Sequence, residues 1–320
     1  DGKPHEKPAL FNTEYGVVET TYTEADESYA AKRRSQKSGV RTRQLPGVSP
    51  LVFSRFLLEK TAFLSLSDMG KALPSYEEIP IACRMDEAVQ SEYKRIENAL
   101  VQVLRSDRRA AQKILSAYLN LLTVYPDQPY DQKPIFYPDS DVPIVEPENI
   151  GDADTLGEKE LRTLEIVKAA IQNGERALIY TSWVRTDSQQ KLKKLLTDEG
   201  YRTEILTDKI KTTDREDWVQ KKLAAGMQVL IVNPSLVETG LDLNAFTTLV
   251  FYSMGYKLFT LRQASRRSWR INQKAPAVKV YMLYYEDTMQ QKCLKLMASK
   301  LAVAGLIEGN FSEEGLAAMS

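Results

Sequence analysis

Residues 177–183 read ALIYTSW. An apolar run this short and this continuous reads as a strand covered on both faces, because a half-exposed strand would alternate with polar residues. The pattern repeats on both sides of it. A helix at Glu158–Ile171 precedes it, and a helix at Ser188–Asp198, a turn at Gly200 and a strand RTEILT (202–207) follow. Thr213 and Glu216 stand at capping-box spacing before DREDWVQKKLAAG, and Gly226 ends that helix. Strands VLIVN (229–233) and TLVFYS (248–253) come next, then AVKVYMLYY (277–285) and a helix at Thr288–Ala302. Apolar strands alternating with amphipathic helices predict an α/β fold with a doubly wound parallel sheet, over residues 151–304.

Ligands of such sheets collect beyond the carboxyl ends of the strands. Three segments are expected there: TSW, NPSLVETGLDL (233–243) and the segment QASRRSWRINQ (263–273). In the last, Gln263, Arg266, Arg267 and Arg270 have helical spacing and are expected on one side of a helix. No acidic residue lies between Asp242 and Glu286, while Lys257, Arg262, Arg266, Arg267, Arg270, Lys274 and Lys279 do. Guanidinium groups carry permanent charge and a planar donor fork suited to phosphate. A solvated basic helix face would have the same composition, so neighbouring motifs must decide. Gly240 permits close backbone approach to a ligand, and Asp242 can accept from a ribose hydroxyl or position an arginine.

Bulk composition narrows the function classes. The 320 residues hold 43 Lys plus Arg and 43 Asp plus Glu, so any nucleic-acid binding must come from local patches. Cys83 and Cys293 lack metal or disulfide spacing, which points to a reducing compartment, cytoplasmic or, in a eukaryote, nuclear. His5 is the only histidine, which excludes histidine acid–base chemistry and the usual zinc sites. No apolar run is long enough to span a membrane, so no membrane partner is expected. The chain begins at Asp1 rather than Met, and is expected to be a piece of a longer protein.

The first half is less regular. Residues 1–48 lack sustained periodicity and read as an arm or loop, with a basic cluster of Lys32, Arg33, Arg34, Lys37, Arg41 and Arg43 that could touch phosphates. A solvated mobile segment would look the same. LVFSRFLLEKTAFLSL (51–66) predicts a buried helix, and IPIACRM (79–85) a short strand. Helices are predicted at 86–104 and 108–124, then a Pro-rich, acid-rich linker at 125–149. Asp86-Glu87-Ala88 resembles the start of a DEAD-type nucleotide motif. It is read as a helix cap, because no G-x-x-x-x-G-K-[ST] loop precedes it.

Together these residues resemble the second RecA-like lobe of superfamily II helicases, and most of all Swi/Snf-type DNA translocases. ALIYTSW corresponds to the fourth conserved motif, VETGLDL to the fifth and QASRRSWRINQ to the sixth. The sixth usually carries Gln, an arginine four positions on, another three after that, then Gln. Leu73, Pro74, Gln90 and Tyr93 match the connection between lobes, so residues 49–150 are expected to be a mainly helical inter-lobe region and 305–320 a tail. Arg266 and Trp269 depart from the acid and the histidine usual in the sixth motif.

The resemblance implies arginine fingers at Arg267 and Arg270, supported by Gln263, Gly240 and Asp242. It implies ATP and Mg²⁺ held mainly by an N-terminal RecA-like lobe that this chain lacks. Double- or single-stranded DNA is the implied partner, met by Thr181, Ser182, Thr207, Asn233 and Ser235 through backbone-scale contacts, with Lys32, Arg33 and Arg34 on the arm. The alternatives are a DEAD-type RNA helicase lobe, which shares ETGLD and the paired arginines, a non-catalytic nucleic-acid-binding module, and a nucleotide-sugar transferase lobe, which has no use for fingers at this spacing.

Overall fold

The computed structural model describes residues 8–23, 39–49, 52, 55–56, 59–60, 73–183, 187–237, 241–255, 264, 267–270 and 273–307. They fall into two units, one of Met69–Lys295 and one of Asp1–Asp68 with Leu296–Ser320.

The smaller unit corrects the expectation of an unpatterned arm. Helix α1 (Pro8–Tyr15) leads into strand β1 (Gly16–Thr23), which pairs antiparallel with β2 (Gly39–Val48). The Val- and Thr-rich sequence GVVETTYT suits a strand through β-branching. The register slips between Gly16 and Val17, opposite the stretch that contains Pro46, a residue sheets accept only at edges and bulges. Tyr15 is buried, meets Phe11 in a tilted contact (4.9 Å) and meets Phe56 edge-on (5.3 Å). Arg55 Nη1 donates to the Tyr15 hydroxyl at 2.7 Å. Most of the helix expected at 51–66 lies outside the described residues, as do Lys32, Arg33 and Arg34; Phe56, which is described, is exposed.

The larger unit is built on a six-stranded parallel sheet. Its elements are β3 (Ser75–Cys83), α2 (Glu87–Ser106), α3 (Arg108–Val124), β4 (Ile135–Phe136), β5 (Pro143–Val145), α4 (Glu158–Gln172), β6 (Ala177–Tyr180), α5 (Ser188–Asp198), β7 (Thr203–Leu206), α6 (Arg215–Ala224), β8 (Val229–Val232), β9 (Thr248–Phe251), β10 (Ala277–Tyr285) and the start of α7 (Met289–Ile307). The strand order is β3-β10-β9-β6-β8-β7, and every pairing is parallel. Period-two alternation splits the central strands between two cores. Ala177, Ile179, Val229, Ile231 and Val250 face α4 and α5 through Val167, Leu192 and Leu196. Leu178, Tyr180, Leu230, Val232, Leu249 and Phe251 are equally buried, and Tyr180 stacks on Phe251 at 4.7 Å. Each such side chain contributes about 1.5–3 kcal/mol by leaving water.

The sheet reaches further back in the chain than 151. The 79–85 strand, assigned to the inter-lobe region, runs from Ser75 and pairs with β10 along its length, Ser75 with Ala277 to Cys83 with Tyr285. It is an edge strand, which explains both its half-exposed alternation and its tolerance of Pro80.

A second core lies on α2 and α3. Val89, Tyr93, Ile96, Leu100 and Val103 recur at helical spacing and pack with Ile114, Tyr118 and Leu122. Asp107 caps α3, accepting from the amides of Arg109 and Ala110 at 3.0 Å each. The expected linker at 125–149 is packed instead. Tyr125, Ile135 and Val145 belong to this core, β4 pairs with β5, and the Tyr125 hydroxyl donates to the Glu148 carbonyl at 2.9 Å. Arg95 grips both oxygens of Glu92 at 2.6 Å and also the Glu146 carbonyl, holding the returning chain against α2.

Candidate functional site

At the carboxyl ends of the central strands, several polar residues are consumed by the fold. Thr181 is fully buried; its amide donates to the Val232 carbonyl and its hydroxyl accepts from Gln189 Nε2 at 2.7 Å. The expectation that Thr181 faces nucleic acid is therefore corrected: its hydroxyl is sealed between strand and helix. Asn233 ties two loops, donating through Nδ2 to the Ser182 carbonyl at 3.1 Å and accepting through Oδ1 from the amide (2.9 Å) and hydroxyl (2.6 Å) of Ser235. Ser182 exchanges two bonds with Ser253, amide to Oγ at 2.8 Å and Oγ to carbonyl at 2.9 Å. Exposed Ser235 and partly exposed Ser182 and Thr207 remain on the surface beyond β8, β6 and β7.

The basic segment takes a different shape from the expected helix. Ala264 is helical and buried, but Arg267 begins a turn and Trp269 and Arg270 lie on irregular backbone. The Arg267 amide donates to the Ala264 carbonyl at 3.3 Å and the Gln273 amide to the Arg270 carbonyl at 3.0 Å. Gln263 and Arg266 lie outside the described residues. Three side chains pin this loop. Buried Ser268 donates to the Leu243 carbonyl at 3.1 Å. Trp269 Nε1 donates to the Pro74 carbonyl at 2.8 Å, and its ring lies 5.0 Å from that of Tyr76. Gln273 Nε2 donates to the carbonyls of Asn244 (2.9 Å) and Ser268 (3.0 Å), while its Oε1 accepts from the Ala275 amide.

Two of these anchors, Trp269 and Gln273, reach chain at the amino ends of strands. Pro74 immediately precedes β3, and Asn244 lies shortly before β9, so the loop bonds to chain entering the strands at their amino ends. The reason is geometric. A crossover between parallel strands starts at a carboxyl end and must finish at an amino end, and residues 267–273 occupy the later half of the β9–β10 crossover.

Asp242 Oδ1 accepts from the Asn244 amide at 3.1 Å and Oδ2 from Asn244 Nδ2 at 3.2 Å. Its own amide donates to Glu216 Oε2 at 3.0 Å. Glu216 therefore clamps this loop and does not close a capping box on Thr213, whose hydroxyl donates to Asp214. Gly240 lies outside the described residues.

Arg267 and Arg270 are both partly exposed. Burial lifts the Tyr180 phenol far above its ordinary pKa, and the nearby Arg267 charge opposes that rise. The Tyr180 hydroxyl donates to the Ala264 carbonyl at 3.0 Å, so the residue just ahead of the arginines is held from the sheet side. Arg270 has no ion pair among the described residues. The loop thus carries two guanidinium groups on a backbone held by three side chains, without an acid in its own segment, and guanidinium is a group that pairs readily with phosphate.

Sequence reasoning missed a buried ionic cluster behind the sheet. Lys159 Nζ lies 2.6 Å from Asp127 Oδ1 and 3.0 Å from Gln290 Oε1, with no side-chain exposure at Lys159. Glu160 accepts from Lys191 Nζ at 2.8 Å and from the Tyr252 hydroxyl at 2.9 Å. Burial raises the Asp127 carboxyl, and Lys159 pulls it back. Only the buried surroundings distinguish these residues from an ordinary charged helix face, so no sequence signal could have singled them out.

Among the described residues no helix is long and apolar enough to cross a membrane. No curated protein sequence matches the chain. Residues 159–272 match the model of the helicase conserved C-terminal domain. Among solved structures, the chain resembles the C-terminal part of the Fun30 ATPase domain, with TM-score 0.53, 13% identity, and 70% of this chain and 89% of that one covered. It also resembles the SWI2/SNF2 ATPase C-terminal domain of Sulfolobus solfataricus, with TM-score 0.51, 18% identity, and coverages of 76% and 96%. A third likeness is to the Sulfolobus solfataricus SWI2/SNF2 ATPase core in complex with dsDNA, with TM-score 0.52, 19% identity and 74% of this chain; the chain spans only 47% of that core. Residues 159–272 thus match a helicase C-terminal domain, and the lobe around them has a RecA-like α/β fold similar to that of the SWI2/SNF2 ATPase C-terminal domain.

Proposed function

We propose that this chain is the C-terminal half of an ATP-dependent DNA translocase. Arg267 and Arg270 would act on ATP and Mg²⁺ held mainly by a separate N-terminal RecA-like lobe. The observation that carries the reading is the anchored loop itself, in which Ser268, Trp269 and Gln273 are spent on holding the backbone that bears the two arginines. Preorganised cations aimed at developing phosphoryl charge stabilise a transition state without reorganising during reaction. ATP would supply the phosphoryl chemistry, while this lobe contributes charge and position. Asp242, with both oxygens engaged by Asn244, keeps the fifth-motif loop in shape.

Nucleic acid would be gripped at the carboxyl-end surface by Ser182, Thr207 and Ser235, through backbone and hydroxyl contacts to phosphate. Opening and closing of a two-lobe cleft would convert hydrolysis into stepping. The likeness to a core in complex with dsDNA supports duplex DNA as the track. The test is DNA-stimulated ATP hydrolysis by a protein carrying both lobes, with Arg267→Ala and Arg270→Ala variants. Hydrolysis unchanged in both would sink the assignment.

A further inference from the structure

A cleft of about 550 Å³ opens where α3 and the chain at 128–135 meet the segment leaving β6. Leu121, Val124 and Ile135 line it with apolar surface, Trp183 contributes an indole, and Asn120 and Gln132 contribute carboxamides. Its remaining charges are one Asp131 and one Lys133, so it offers no excess of either sign. A phosphate would find no counter-charge there. A flat, neutral, amphipathic ligand would find a ring to stack on and amides to read its edge. The Asn120 carboxamide makes no hydrogen bond among the described residues, and Gln132 uses only its Nε2 group, on the Gln128 and Tyr130 carbonyls. Ser182, part of the surface assigned above to the phosphate backbone, also lines the cleft.

We propose that this cleft receives one unpaired nucleobase from the bound nucleic acid, placed by the juxtaposition of Trp183 with the Asn120 and Gln132 amides. The volume lies in the range of small-molecule sites and exceeds what a single base needs, leaving room for its sugar. Bases displaced from a duplex are characteristically met by stacking on aromatic rings and by hydrogen bonds to their exposed edges. The inference rests on the nucleic-acid reading and deepens it. The lobe would register a distorted or unpaired position while its phosphate contacts ignore sequence.

The experiment measures binding of the 320-residue chain to three labelled probes: a perfect duplex, the same duplex with one unpaired thymine, and that duplex with an abasic residue in place of the thymine. The unpaired base should bind roughly 10-fold or more tighter than the abasic probe, the scale of one stacked base. Trp183→Ala and Asn120→Ala should erase that preference and leave perfect-duplex affinity unchanged, while Trp183→Phe should keep most of it. Asn120 is exposed, so its variant decides the matter if Trp183→Ala does not fold. Equal affinity for the base and abasic probes, with the duplex still bound, would overturn the cleft inference and leave the translocase reading standing. Failure to bind any of the three would overturn both.

Discussion

Trp269 and Pro74, 195 positions apart, are joined by a 2.8 Å hydrogen bond from the indole Nε1 to the backbone carbonyl. The bond ties the arginine loop to the residue that leads into edge strand β3, and the Tyr76 ring covers the same indole at 5.0 Å. Trp269→Phe keeps a ring for Tyr76 but leaves the carbonyl without its donor. A lost neutral hydrogen bond of this kind costs about 0.5–1.5 kcal/mol. Urea unfolding should show a lower midpoint with an unchanged slope. A midpoint equal to that of the parent chain would mean the bond contributes nothing net.

The buried pair Lys159–Asp127 makes a stronger demand. Lys159→Met would strand a carboxylate that is almost wholly inaccessible to water, at a cost of about 3–5 kcal/mol. Adding Asp127→Leu should recover most of that loss, because a buried ion pair is often replaceable by apolar side chains. The double-mutant comparison in urea decides it. If the double variant is as unstable as the single one, Asp127 contributes through contacts other than the pair.

How much of this was legible beforehand depended on whether a residue's role was local. The apolar runs at 177–180 and 277–285 predicted the strands with few boundary errors, because a near-continuous apolar run reports burial directly. The stretch at 125–149 misled through its prolines and acids. Its function as packed chain rests on Tyr125, Ile135 and Val145, which are scattered among polar residues and show no period. The arginine spacing suggested a helix, yet Ser268, Trp269 and Gln273 prefer partners at Leu243, Pro74 and Asn244. Those partners are remote in sequence, so propensity could not foresee that tertiary bonds would override it. Thr181 and Glu216 failed for the same reason. Which of their neighbours exhaust their bonding groups is known only once the strands are ordered.

Cys83 gives a prediction that depends on pH. Burial raises its thiol from an ordinary value near 9.0 to about 12. Above the ordinary value the unfolded chain releases this proton while the folded chain keeps it. The unfolded state then binds fewer protons, and stability falls as pH rises from about 9 towards 12. Both cysteines are buried, so a thiol-alkylating reagent at mildly alkaline pH should leave the native chain unmodified and label both sites in urea. Rapid native labelling at Cys83 would show that the junction of β3 with α2 opens far more readily than its packing implies.

The arginine loop yields the most discriminating kinetic test, in a protein that carries both lobes. Arg267→Ala should reduce DNA-stimulated hydrolysis by about 10³ to 10⁵, the range seen when arginine fingers are removed from other NTPases. ATP affinity should change far less, because the interaction strengthens as charge develops on the transferring phosphoryl group. Arg267→Lys should recover little: an ammonium keeps the charge and loses the planar fork. Arg266→Ala should be milder, since its position matches no finger in the motif. Folding should survive all of these changes, because Arg267 is partly exposed and the loop is held by Ser268, Trp269 and Gln273. If Arg266→Ala proves more damaging than Arg267→Ala, the register through the sixth motif is wrong by one residue, and the roles given to Arg267 and Arg270 fall together.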